Sequence, residues 1–358
     1  MMNYKETLFF VGKCLTLTHE KHNRDIVELE LKSNNINWDN VVKLSTAHYV
    51  FPALYCNLKR ANFLHYLPED LVGYMKHITG LNRERNEQII KEAKELNELL
   101  LSNNITPIFL KGTGNLLEGL YEDIAERMTG DIDILFEQED CITAFRILQE
   151  NGYTNKVSEL YNDHRHLPAI THPKKIAAIE VHKQMLRIEK SPYFNYDSVK
   201  KTLQIINNTT FLSFDNQIKL TVYSKFINDN AYLIKNLSFR AAYDVFLLDK
   251  KLESKTVIKD IKLSKELNAG LELYNTILST FKNIEFKSTK ASKLYLKKYL
   301  KNLDNGLNKR AKTNFIKHYV FYKERIRIIL KAFYKKSYLK FIFSKLTDYN
   351  WYRKKIGF

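Results

Sequence analysis

The sequence predicts an α/β (α+β) chain with a small mixed-sheet core between helical N-terminal and C-terminal regions. Three observations carry this reading. Short runs at 108–110, 131–136 and 176–182 have the period-two alternation or apolar continuity of strands. The stretches on either side place apolar residues at helical spacing. Only 11 Gly and 6 Pro occur in 358 residues, too few for a turn-rich β-sandwich, while 44% hydrophobic content supplies a core.

The elements follow in chain order. Residues 1–104 read as an N-terminal helical region. Within it Asn82–Asn104 forms one long helix whose stripe is Ile89, Ile90, Ala93, Leu96, Leu99 and Leu100. The core spans 105–190. It opens with a strand at Ile108–Leu110 and a glycine turn. A helix over Asn115–Glu126 is next, with Leu116, Leu117, Leu120, Tyr121 and Ile124 on its apolar face. A strand follows at 131–136, then a helix over Cys141–Glu150 ended by Asn151-Gly152. Thr171-His-Pro-Lys-Lys175 reads as a turn that folds 163–170 back on 176–182 as a hairpin. Residues 191–280 are a second helical region, including Asp215–Lys235 and Ser238–Lys251, and 281–358 a strongly basic helical tail.

The chemistry sits in the core. In Asp131-Ile-Asp133-Ile-Leu-Phe136 the two carboxylates point to one face of a strand, with Ile132 and Ile134 toward the core. Carboxylates one strand period apart can grip one or two divalent ions, and hard oxygen donors suit Mg²⁺ or Mn²⁺. Ile179-Glu180-Val-His182 offers a third carboxylate, either a further metal ligand or the base that takes a proton from an attacking hydroxyl. Metals about 3.5–4 Å apart stabilise both oxygens of an in-line displacement. Upstream, in Phe109-Leu-Lys-Gly-Thr-Gly114, Gly112 lets main-chain amides approach a phosphate and Thr113 adds a hydroxyl. The helix start favours an anion. Lys111 and Arg127 are candidate charge partners for a triphosphate, or structural partners of the acids.

These residues resemble the polymerase-β-like nucleotidyltransferase superfamily. Its pattern is a hydrophobic-Gly turn, then an Asp-x-Asp strand, then a later carboxylate strand. Leu-Lys-Gly followed by Arg127-x-x-Gly-Asp131-Ile-Asp133-Ile-Leu is most similar to the bacterial branch of uncharacterised nucleotidyltransferases. There the third carboxylate also stands in a Glu-hydrophobic-His pair, here Glu180 and His182. The similarity is strongest over roughly 105–185. The stretch from Gly112 to Asp131 is longer than the superfamily's minimal pattern, which fits a long helix. The resemblance implies metal-dependent transfer of a nucleoside monophosphate from an NTP to a hydroxyl or similar acceptor, with release of pyrophosphate. It places Asp131, Asp133 and Glu180 as catalytic metal ligands and Lys111, Gly112, Thr113 and Arg127 around the nucleotide. Two alternatives differ in class: a metal-dependent glycosyltransferase using a nucleotide sugar, and a non-catalytic antitoxin-like binding protein on the same fold. The upstream glycine turn speaks against the first and the three intact acids against the second.

Other features bound the reading. His164, His166, Glu180 and His182 could share one face of the hairpin, as zinc donors or as polar residues lining a cleft, and the acids already account for a metal. Cys14, Cys56 and Cys141 have neither disulfide arithmetic nor metal spacing, so a reducing cytoplasm is expected. No apolar run reaches about 18 residues, and no signal-peptide pattern opens the chain. Residues 281–358 hold 22 Lys and Arg against four acids, whereas 1–280 are near neutral, so the formal charge of +17 resides in the tail. Phe315, Tyr319, Tyr322, Ile326, Ile329, Leu330 and Phe333 form an apolar stripe there between basic residues. Three uses are open: an anionic membrane surface, RNA held through its phosphates, or packing on the core with a solvated basic face. The continuity of the stripe favours the membrane surface, which would make the protein cytoplasmic and peripheral.

Overall fold

The computed structural model describes residues 2–155, 163–304 and 306–346. Five helices precede the sheet: α1 (Tyr4–Cys14), α2 (Lys21–Lys32), α3 (Trp38–Ala47), α4 (Phe51–Arg60) and α5 (Glu69–Ser102). The expected helix over Asn82–Asn104 is the C-terminal two thirds of α5, which runs for 34 residues. It stops where Asn104 takes a left-handed φ of 58° and the Ile105 amide donates to the Leu100 carbonyl at 3.0 Å. This closure satisfies carbonyls that the helix end leaves free.

The strands are β1 (Ile108–Leu110), β2 (Asp131–Leu135), β3 (Thr154–Asn155), β4 (Ile170–Thr171), β5 (Ala178–His182), β6 (Gln204–Ile206) and β7 (Thr209–Phe211). They form one mixed sheet in the order β3-β4-β5-β2-β1-β7-β6. β1 is antiparallel to β2 and parallel to β7, and β2 is parallel to β5. The sheet therefore takes in residues beyond 190, where the core was expected to end. The expected hairpin is present, with Ile170 opposite Ile179 and a bridge between His166 and His182.

Side-chain alternation gives the sheet two covered faces. Ile132, Ile134, Ile179 and Val181 join Phe109 and Phe211 beneath Ile89, Ala93, Leu96 and Leu100 of α5 and Cys141, Ala144 and Leu148 of α7 (Asp140–Glu150). Each fully buried Ile, Leu, Val or Phe among them contributes about 1.5–3 kcal/mol. Ile108, Leu110 and Leu135 face the opposite way, into the larger core built by the remaining helices. Asp131 and Asp133 lie on this second face, on the same strand as Leu135.

The helix expected over Asn115–Glu126 is shorter and starts earlier, as α6 (Lys111–Leu117). Gly119 ends it with φ of 71°, and the Leu120 amide donates to the Asn115 carbonyl at 3.0 Å. A side chain is disfavoured at that φ, so the glycine sets the end. The extra length between Gly112 and Asp131 is therefore loop plus a single 3₁₀ turn at Ile124–Glu126, not helix.

Beyond α8 (Tyr196–Val199) come α9 (Phe214–Tyr223), a π-helical turn at Ser224–Asn228, α10 (Ala231–Ile234) and α11 (Phe239–Lys251). The expected Asp215–Lys235 helix is thus interrupted, with Asn230 left-handed at φ of 56°. α12 (Ser264–Ile277) lies between two short strands, β8 (Thr256–Val257) and β9 (Ile284–Glu285), which pair in parallel. The basic tail forms α13 (Lys290–Asp304), α14 (Gly306–Ala332) and α15 (Lys336–Leu346). Its expected residues beyond 346 lie outside the described residues. The apolar stripe of α14 does not pack on the core. Among the described side chains of that helix Ile328 is the buried one, and the stripe faces outward.

Candidate active site in the cleft beside strands β2 and β5

Parallel pairing of β2 and β5 sets Asp133 directly opposite Glu180, with Asp131 opposite Ala178 and Leu135 opposite His182. Two acids that are 47 residues apart in sequence thus stand side by side. His182 follows Glu180 by one strand period, and its buried Nε2 lies 2.8 Å from Asp133 Oδ1 and 3.2 Å from Glu180 Oε2. Burial alone would raise the Asp133 carboxyl. The Lys111 ammonium, 2.5 Å away, and the His182 bond instead hold it well below the usual carboxylate range. Glu180 is likewise lowered, burial being outweighed chiefly by its bond to His182. Asp131 is more exposed and goes the other way: partial burial and its neighbours Asp133 and Glu180 raise it.

Lys111 reaches Asp133 from a strained turn. It follows β1 directly and adopts a left-handed φ of 52°. For a residue with a Cβ this costs about 1–2 kcal/mol, and such strain concentrates at functional sites. Gly112 comes next, and a Cβ there would lie 2.7 Å from Thr129 Oγ1 and 3.1 Å from Arg127 Nη2. Only glycine lets the turn approach these groups so closely. Thr113 is fully buried under the turn and its hydroxyl donates to the Asp131 carbonyl at 2.8 Å, tying α6 to β2. Arg127 is buried too. Its guanidinium pairs with Asp244 of α11 at 3.1 Å and donates to the Met128 carbonyl at 2.8 Å. Arg127 Nε and Thr129 Oγ1 have no hydrogen-bond partner among the described residues.

One cleft collects these groups. Lys111, Gly112, Arg127, Asp131, Asp133 and Glu180 line it; Thr113 lies beneath it. Its lining also includes residues that the sequence did not single out: Arg165 beside the histidines, Ser224 and Lys225 of the π-turn, and Arg240 of α11. Arg240 also donates to the Met128 carbonyl, at 3.0 Å, and burial with the nearby Arg127 charge lowers its guanidinium. Beneath this floor, Asn82 and Asn86 of α5 donate to the carbonyls of Ala125, Ile124 and Arg127 at 2.6–3.2 Å. Their signal in sequence was two amides four residues apart on a buried helix face.

The family model for uncharacterised nucleotidyltransferases matches residues 34–222, more than half of the chain and all of the sheet. The protein belongs to the uncharacterised nucleotidyltransferase family. No curated protein and no solved structure matches the chain. As a nucleotidyltransferase it is an enzyme, which sets aside the glycosyltransferase and the non-catalytic binder.

The donor set of this nucleotidyltransferase fits a divalent ion. Among the described residues, Asp133, Glu180 and His182 bring donor atoms within 4.8 Å of one another. His182 Nδ1 lies 3.3 Å from the Gln184 carbonyl, to which it can donate. Nε2 then faces two carboxylates, an arrangement suited to a cation shared by Nε2 and the acids. Asp131 is not part of that close group. The hairpin also brings His166 Nε2 to 3.6 Å from Glu180 Oε1 and sets the His164 ring against His166. Burial lowers both, His164 to about 4 with the help of its neighbour, so they are neutral near pH 7.

Proposed function

We propose that the enzyme transfers a nucleoside monophosphate from an NTP to a hydroxyl or similar acceptor and releases pyrophosphate, with Mg²⁺ or Mn²⁺ as cofactor. The observation that carries this reading is the in-register pair Asp133–Glu180 facing the Lys111–Gly112 turn across one cleft. Asp131, Asp133 and Glu180 would hold the metal, with His182 as an additional donor beside them. A divalent ion bound there would neutralise phosphate charge and activate the nucleophile.

The protein groups supply the rest. The Gly112 backbone and the Lys111 ammonium meet the phosphates. Arg127 Nε and Thr129 Oγ1 are donors at the same place without a partner among the described residues, and Arg240 and Arg165 add charge to the lining. Thr113 serves by holding the turn against β2. Glu180, if it is not a ligand throughout, accepts the acceptor's proton. The cavity volume of about 200 Å³ is below the ~300–1,000 Å³ of pockets that enclose a whole ligand. In this reading it holds the triphosphate and leaves the base at the mouth.

Incubation with each α-labelled NTP, Mg²⁺ or Mn²⁺ and a panel of acceptors tests the proposal. Label transferred to an acceptor, with pyrophosphate released and both lost in Asp133→Asn, is the expected outcome. Pyrophosphate-free turnover, or transfer that Asp133→Asn leaves intact, would overturn it.

A further inference from the structure

Helix α14 carries an apolar seam on the side turned away from the body. Phe315, Tyr319, Tyr322, Ile326, Ile329 and Phe333 recur at spacings of four and three residues, and each is more than half exposed. The opposite side of the helix is the docked one. There Ile328 is buried, Glu324 pairs with Arg187 at 3.5 Å, and Arg327 pairs with Glu189. Helix α15 repeats the arrangement. Tyr338 is buried and its hydroxyl donates to Asp163 at 2.8 Å, while Leu339, Phe343 and Leu346 are exposed, again four and three apart. Lys331 and Lys335 bind the same Asp163 carboxylate at 2.9 Å. The docking contacts therefore fix which way the seam points.

A contiguous exposed apolar surface of this size marks an interaction site, and the charge around it selects the partner. The 3.5-residue repeat would suit a second copy of α14. Lys323 and Arg325 flank the seam, however, and the one acid of α14, Glu324, is already engaged by Arg187. Two such seams would meet like charge to like charge. A nucleic acid would use the cations but would leave Ile326, Ile329 and Leu330 in water. An anionic lipid surface takes both, apolar side chains at the acyl boundary and Lys or Arg among the headgroups.

We propose that α14 and α15 bind an anionic lipid surface, lying in its plane with this seam inserted. No described helix is long and apolar enough to cross a membrane. The seam of α14 runs roughly 27 Å along its helix. This proposal does not rest on the function assigned to the cleft.

The full-length protein is co-sedimented with vesicles of phosphatidylcholine alone and with phosphatidylserine added, beside a parallel titration with single-stranded RNA. Binding to the anionic vesicles is expected, weakening as salt rises. The double variant Ile326→Asp, Ile329→Asp should lower that binding at least about tenfold. Both side chains are already exposed, so its melting temperature should stay that of the parent. Lys323→Glu with Arg325→Glu should lower it as well. RNA binding that survives the aspartate variant, with no vesicle binding, would overturn the proposal in favour of nucleic acid. A dimer in sedimentation analysis that the aspartate variant dissociates would overturn it in favour of self-association. Binding to neither vesicles nor RNA at low salt would overturn it outright.

Discussion

The cleft and the tail use the same residue types to opposite ends. In the cleft, cations and acids are paired at short range and mostly buried: Lys111 with Asp133, Arg127 with Asp244. The surroundings are rigid, with Asn82 and Asn86 holding the main chain and Thr113 pinning the turn. In α14 and α15 the basic residues far outnumber the acids, and the large apolar side chains lie outside. The difference separates two kinds of electrostatics. Opposite charges in low dielectric fix positions and shift protonation, whereas like charges in water create a field that salt weakens. Mutations should divide along the same line.

The largest effect belongs to the β2 acids. Asp133→Asn and Asp131→Asn should each lower turnover by at least about 10³-fold, near the cost of losing a main transition-state stabiliser. Their stabilities should diverge. Asp133→Asn leaves the Lys111 ammonium without its partner and should lower the melting temperature. Asp131→Asn removes a carboxyl that burial and neighbouring acids hold above its ordinary range, so it should be neutral or stabilising at pH 7. Single-turnover assays and thermal melts on both variants would show this, and parent-like turnover in either would end its assignment as a ligand. Glu180→Gln should cost about 10²-fold in rate with a smaller loss of NTP binding. Equal losses of both would make Glu180 structural.

How much of this was legible follows the range of the interactions. Asp131 and Asp133 on one face, with Ile132 and Ile134 buried, follow from the strand period alone. The Lys111-Gly112 turn is equally local. The pairing of Asp133 with Glu180 depends on a parallel register that no local pattern fixes. Arg240 and Asp244 reach the cleft from a helix more than 100 residues downstream, on a face that reads as ordinary core. Single residues upset the helix bounds: Gly119 stopped a run that looked helical to Glu126, and left-handed Asn230 sits in the break of a run that looked helical to Lys235. The tail stripe was legible as a stripe. Its direction was not, because that is set by Arg187, Glu189 and Asp163, which lie far away in sequence.

Smaller effects sharpen the contrast. Glu118, at the end of α6, has one oxygen bonded to Gln217 at 2.8 Å and the other buried without a partner among the described residues. Burial pushes its carboxyl up to about 7. The folded state therefore holds a proton that the unfolded chain has released, and stability falls as pH rises from about 4.5 to about 7. Glu118→Gln should remove that slope and add about 1–3 kcal/mol above pH 7. Denaturant melts at pH 5 and pH 8 would measure it, and an equal effect at both would remove the carboxyl as the cause. In the tail the corresponding change should be slight. Asp163→Asn breaks partly exposed pairs worth about 1 kcal/mol or less each. Global melting should hardly move while amide exchange in α15 speeds up.

Asp163 also stands two residues before Arg165 of the cleft wall and three before His166, which faces Glu180. The clamp that Lys331, Lys335 and Tyr338 close on it joins the tail helices to the loop beside the carboxylates. Such a joint gives the two binding equilibria a physical route by which to couple. Whatever factor lipid adsorption imposes on NTP affinity, NTP must impose on lipid affinity, in the same direction and to the same extent. Vesicle titrations with and without NTP, set against NTP titrations with and without vesicles, would read that factor twice. Asp163→Asn, which cuts the joint and leaves both surfaces in place, should bring it toward one.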